Sequence, residues 1–212
     1  MRRRRSLHAT AAPRRKGHHG FSTLELLLAL ALITLAGGVA AGASRYYRTR
    51  ATNLGAARLL RTQVRLARAY AIREGLHVGL AFEARDDGEY QFRLVADGNG
   101  NGVRTADVRS GADPPIGTPV WLSAYFAPAA VRLDRDAPAL DGGSRVSAGT
   151  PPIRLAGGSS ILSLTPTGTA TSGTVFVSGP GGGLLALRIA AATGRLRLFE
   201  LAGDGTSWNE QW

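Results

Sequence analysis

A chain of 212 residues has room for one domain and an appendage, and its net charge of +11 is uneven, because residues 1–20 hold seven of the 26 basic residues and no acid. Lys16 is the sole lysine and cysteine is absent, which excludes, beyond residue 20, a P-loop or Schiff-base lysine, thiol catalysis, cysteine-ligated zinc and disulfides. His77 is the one histidine after Gly20 and has no nucleophile motif around it, so the expectation is a protein that is not an enzyme.

From Phe21 to Ala43 the chain runs 23 residues with a single charge, Glu25. At ~1.5 Å per residue such a run can cross a hydrocarbon core of roughly 30 Å as a helix. The arginines before it put the N-terminus in the cytoplasm and the remainder across the membrane. A plain signal anchor uses only the apolarity of this stretch. A secretory signal peptide cut at Ala41-Gly42-Ala43 needs a shorter apolar region and no acid. A third reading uses Gly20, then Phe21, then Glu25 five positions after the glycine. An acid in an apolar helix costs about 2.5–3.5 kcal/mol at the membrane centre, so Glu25 calls for a partner or a headgroup-level position. Gly37, Gly38 and Gly42 are either close-packing positions or incidental in an alanine- and glycine-rich run.

Gly20-Phe21-Ser22-Thr23-Leu24-Glu25-Leu26-Leu27 resembles the processing signal of type IV pilins and type II secretion pseudopilins. The resemblance implies cleavage after Gly20 by a prepilin peptidase, N-methylation of Phe21, and pairing of Glu25 with the N-terminal amine of a neighbouring subunit during assembly. It divides the chain into a leader (1–20), a transmembrane and assembly helix (21–43), an amphipathic continuation (44–74) and a β-rich periplasmic head (75–212).

Residues 44–74 lack proline, and Leu54, Ala57, Val64, Ala67, Ala71 and Ile72 recur at helical spacing. The arginines between 45 and 73 fill the other faces, a solvated surface or a basic one for lipid or nucleic acid. A helix over 21–74 would be roughly 80 Å long at ~1.5 Å per residue, the proportion expected of a pilin.

After Gly75 the period becomes two. Residues 76–82 and 89–95 flank Asp86-Asp87-Gly88 and predict a hairpin. Seven of the ten prolines lie between 114 and 152, so residues 103–152 are expected as a loop-rich insertion with one or two strands. Residues 161–164, 174–178, 184–189 and 195–199 read as four strands with short links, an antiparallel meander. Their Pro-x-Gly turn at 166–168, glycine-rich hairpin at 179–183 and closing Gly194-Arg195-Leu196-Arg197 resemble the C-terminal half of the GspH/FimT family of minor pseudopilins and minor pilins. The fold expected is therefore α+β and pilin-like, a long N-terminal helix, half of it transmembrane, packed on an antiparallel sheet head.

Asp97-Gly98-Asn99-Gly100-Asn101-Gly102 carries oxygen ligands at alternate positions, like the first half of an EF-hand loop. The twelfth position is Val108 instead of an acid, leaving a looser calcium site of Asp97, Asn99, Asn101 and Asp107, or a plain turn. Alternation on a strand puts Arg195 and Arg197 on one face, about 6–7 Å apart, spaced for successive phosphates or for solvation of an outer face. In the FimT-like branch the Gly-Arg-x-Arg motif implies DNA contact through these two arginines, which Glu200 and Asp204 would oppose. The family resemblance thus implies either a minor pseudopilin of a type II secretion system or a FimT-like minor pilin for pilus assembly or DNA uptake. Both imply a single-pass inner-membrane protein with other pilins or pseudopilins, the prepilin peptidase and the inner-membrane assembly platform as partners, and no obligatory cofactor.

Overall fold

A computed structural model describes residues 21–181 and 183–211, the side chains of 39–43 apart. The expected leader with Gly20 lies outside the described residues. The chain divides into two compact units, Met1–Gly42 and Ala43–Trp212. The protein is α+β, with two antiparallel sheets.

Helix α1 spans Thr23–Glu74, so the helical period read over 44–74 is a helix. In the first unit Leu24, Leu26, Leu27, Leu28, Leu30, Leu32, Ile33 and Leu35 are all more than half exposed. Among the described residues no helix is long and apolar enough to cross a membrane. Of the 21–43 run, the helical part with described side chains is Thr23–Gly38, about 24 Å at ~1.5 Å per residue, and residues 39–43 lie outside it.

In the second unit Ala56, Ala57, Leu60, Val64, Ala67 and Ala71 are at most 1% exposed and form a helical stripe. Its four alanines keep the stripe shallow, which lets strands approach the helix backbone. The expected stripe shares Ala57, Val64, Ala67 and Ala71 with it. Leu54 is half-buried and Ile72 is exposed, because one step beyond Ala71 turns the side chain about 100° away from the seam.

Strands β1 (Val78–Ala84) and β2 (Tyr90–Ala96) form the expected hairpin across Asp86-Asp87-Gly88, in register from Val78 with Ala96 to Ala84 with Tyr90. Then come α2 (Thr105–Ser110), β3 (Pro115–Trp121), α3 (Ser123–Phe126), β4 (Ala130–Val131), β5 (Ile153–Leu155), β6 (Ile161–Leu164), β7 (Gly173–Ser178), β8 (Leu184–Ile189), β9 (Leu196–Leu201) and β10 (Trp208–Gln211). The first sheet has the order β3-β2-β1-β6; the second runs β10-β9-β8-β7-β4, with β5 also pairing β7.

The four-strand meander expected of the last third is corrected by this topology. Strand β6 pairs β1 in the first sheet, and the meander is β7-β8-β9-β10. Leu162 and Leu164 of β6 are fully buried in the same core as Leu80 and the α1 stripe, so side-chain burial places the strand where link length could not.

The proline-rich insertion contains the two strands allowed for it, β3 and β4, plus two short helices. Pro115 and Pro119 lie on β3, an edge strand, where a missing N–H costs no ladder bond. Loops cover the outer faces of both sheets. Val103 and Val108 pack on Ala81, Val95 and Ile161 of the first. Leu133, Ala137 and Val146 pack on Phe176, Leu184 and Ala186 of the second. Buried on both faces, β7 and β8 read as apolar runs rather than alternating strands.

Leu60→Ala should lower unfolding free energy by about 2–5 kcal/mol, because it hollows the seam, while Leu66→Ala, at a half-exposed position, should cost less than about 1 kcal/mol. Urea unfolding followed by near-ultraviolet circular dichroism reads both, and equal losses would contradict this packing.

Candidate functional site

Phe21 is exposed, and the chain turns into α1 through Ser22. The Glu25 N–H donates to Ser22 Oγ at 3.2 Å and the Leu26 N–H to Ser22 O at 3.1 Å. Ser22-Thr23-Leu24-Glu25 therefore has the spacing of a capping box, with the Glu25 carboxylate in the first turn, where the helix dipole favours an anion. This second reason for an acid at position 25 was visible in the Ser-x-x-Glu spacing. It acts within the chain itself and leaves the Glu25 side chain exposed.

The Asp97–Asp113 loop is held by its own acids. Asp97 Oδ1 accepts the Gly100 N–H and Oδ2 the Gly102 N–H, both at 2.7 Å, and Asn99 Oδ1 accepts the Asn101 N–H at 3.1 Å. Asp113, 1% exposed and absent from the calcium reading, accepts the Gly98 N–H at 3.2 Å and the Arg104 N–H at 3.1 Å. Asp107 lies in α2 with its buried Oδ2 unpartnered. Among the described residues no three histidine or acidic side chains converge as a metal-ligand group. Gly98 is required by close approach: a Cβ there would stand 2.1 Å from Ala112 O. The arrangement works as a clasp that presses Val103 and Val108 onto the first sheet.

Arg195 directly precedes β9 and Arg197 is its second residue, both exposed, while Leu198 is buried and Leu196 packs on the core, as strand alternation requires. They border a cleft of ≈ 350 Å³ between β9 and α1, to which the helix adds Arg61, Arg65 and Arg68. The spacing 61, 65, 68 puts these three on one flank of α1. Arg68 donates from Nη1 to Gly194 O at 3.5 Å, and a Cβ on Gly168 would lie 2.8 Å from its Nη2. The Pro-x-Gly turn and Gly194 are thus brought together around one arginine. A Cβ on Gly194, at φ 57°, would also lie 2.6 Å from Gly168 O.

No protein-family model, curated protein or solved structure matches this chain.

The expected opposition from Glu200 is displaced: Glu200 forms a two-bond ion pair with Arg50 of α1, both bonds 2.6 Å, which raises the Arg50 pKa further. The acid that meets the Gly-Arg-x-Arg motif is Glu210 on β10, whose Oε1 accepts from Arg197 Nε at 2.8 Å and whose Oε2 accepts from the same guanidinium. Those hydrogen bonds raise the Arg197 pKa and hold the Glu210 carboxyl below the usual carboxylate range. Burial, and then the like charges of Arg65 and Arg58, push Arg61 down from its ordinary value, and its Nε is buried without a partner. Sequence reasoning missed Glu210 because Trp208-Asn209-Glu210-Gln211 is too short a run to announce a strand. It saw the helix arginines as a basic face but not their place beside Arg195 and Arg197, because only the fold sets them opposite β9.

Asp113→Asn should cost about 1–3 kcal/mol of stability with or without calcium, since it weakens two buried N–H contacts. Thermal unfolding in chelator and in millimolar calcium checks this. A loss seen only when calcium is present would mark the loop as a metal site.

Proposed function

We propose that the chain is a pilin-like assembly subunit, held in the inner membrane through residues 21–43 with its β-rich part in the periplasm, and drawn into a filament after cleavage behind Gly20. The observation that carries the reading is the first sixteen residues of α1, Thr23–Gly38: large apolar side chains exposed around the helix, with Glu25 the only charge. A contiguous exposed apolar surface of this kind calls for lipid or a partner helix to cover it. Among pilin-like roles, a minor pseudopilin of a type II secretion system needs no more than this helix, the processing site and a folded head. Other pseudopilins, the prepilin peptidase and the assembly platform are its partners on this reading.

A FimT-like minor pilin that contacts DNA through Arg195 and Arg197 is a second reading. It draws support from the placement of both arginines beside Arg61, Arg65 and Arg68 in one cleft. Phosphodiester backbones are bound by such clustered guanidinium groups, with an affinity that falls as salt rises.

Glu25→Leu tests the assembly role. The variant should still be processed and stay in the membrane, and should be lost from sheared filaments by at least about tenfold, the effect of roughly 1.4 kcal/mol. Incorporation equal to that of the unaltered chain would contradict a role for Glu25 in pairing subunits.

A further inference from the structure

Four arginines around the α1–β9 cleft have no carboxylate close enough for an ion pair among the described residues: Arg61, Arg65, Arg68 and Arg195. Arg68 is turned to Gly194 O and the Gly168 turn, and serves packing. Arg61 is the most constrained of the others, with its Nε cut off from water and from any partner. Its depressed pKa reports the same cost, charge held in a partly dry place beside like charge. A cluster of this sign is relieved by an anion. Among the described residues the one acid lining the cleft, Glu210, gives both carboxylate oxygens to Arg197 and reaches Arg61 and Arg195 through charge alone, without an ion pair.

We propose that the α1–β9 cleft binds phosphate oxyanions through Arg61, Arg65 and Arg195, and that Glu210 is a built-in competitor that holds Arg197 until a ligand phosphate takes its place. This rests on the second reading above and adds to it the helix arginines and the internal competitor. A guanidinium offers the same two-donor edge to a carboxylate and to a phosphate, so Glu210 occupies the edge of Arg197 that a ligand would use. Strand β10 places it there by pairing Glu210 with Phe199, two residues along β9 from Arg197. The bound anion comes either from a free phosphate compound or from a phosphodiester backbone.

The test titrates the detergent-solubilised full chain with inorganic diphosphate and, separately, with a labelled single-stranded oligonucleotide, at several salt concentrations. Glu210→Gln keeps the size of the side chain and the β10 pairing. Because the pair it breaks is exposed, it should tighten binding roughly three- to tenfold. Glu210→Ala should shift affinity in the same direction. Arg65→Gln and Arg195→Gln should each weaken binding, and for the oligonucleotide each should reduce the slope of log affinity against log salt by about 0.7. Tightening with both ligands supports a site for the phosphate group itself, and tightening with the oligonucleotide alone supports a site for the phosphodiester backbone. Weaker binding by both arginine variants with unchanged or weakened binding by Glu210→Gln would overturn the competitor and leave the cleft as the site. Binding insensitive to both arginine variants, or no binding by any form, would overturn the cleft and the DNA reading together.

Discussion

Ala56, Ala57, Leu60, Val64, Ala67 and Ala71 put one narrow face of α1 into a seam closed by Leu80, Phe92 and Leu162 of the first sheet and by Val175, Leu187 and Ile189 of the second. The rest of the β-rich unit is arranged around that seam. Alanine at four of six positions sets how near the strands can come. Leu60 and Val64 fill the space that remains, and close packing makes every missing methylene costly. Asn53, fully buried one turn before the stripe, donates from Nδ2 to Gly183 O at 3.0 Å and so ties the helix to the β7–β8 turn. At the other end of the stripe Arg68 packs against Gly168 and Gly194. The helix thus fixes the turns of the second sheet as well as its apolar face, and those turns place Arg195 and Arg197.

A sheet that packs one face on a helix leaves its other face to be covered or solvated. Both outer faces are covered here by chain that has little secondary structure of its own. The 97–113 loop is held down by two buried carboxylates, each of which accepts two backbone N–H groups. Such groups stabilise an anion without a second charged side chain to desolvate. Over the second sheet, Trp208 donates from Nε1 to Pro138 O at 2.9 Å and packs on Phe176, joining the covering segment to the last strand. The loop-rich middle of the chain is therefore part of the core.

Much of this was legible from residue order wherever a local signal decides the outcome. The helical period over 44–74 located α1, Asp86-Asp87-Gly88 located the first hairpin, and the glycine-rich links located β7, β8 and β9. Partnership between distant segments was not legible. Nothing near Ile161–Leu164 says that it pairs β1 rather than β7, because that choice is made by which apolar face the helix lacks. The Asp97–Gly102 pattern suits a metal loop and a backbone clasp alike, and the part of the clasp made by Asp113, sixteen residues on from Asp97, was not announced by that pattern. The cleft was half legible: Arg195 and Arg197 stood out as a motif, whereas Glu210 and the helix arginines joined them only through the fold.

We propose that an exposed apolar helix followed by a packed β-rich unit belongs here to a subunit processed behind Gly20 and assembled through its new N-terminus. Intact mass and N-terminal sequence of the membrane-extracted protein, from cells with and without prepilin peptidase, test it most directly. The chain should begin at methylated Phe21 when the peptidase is present and retain residues 1–20 when it is absent. A chain that begins near Ser44, or one that keeps its leader in both strains, would contradict it.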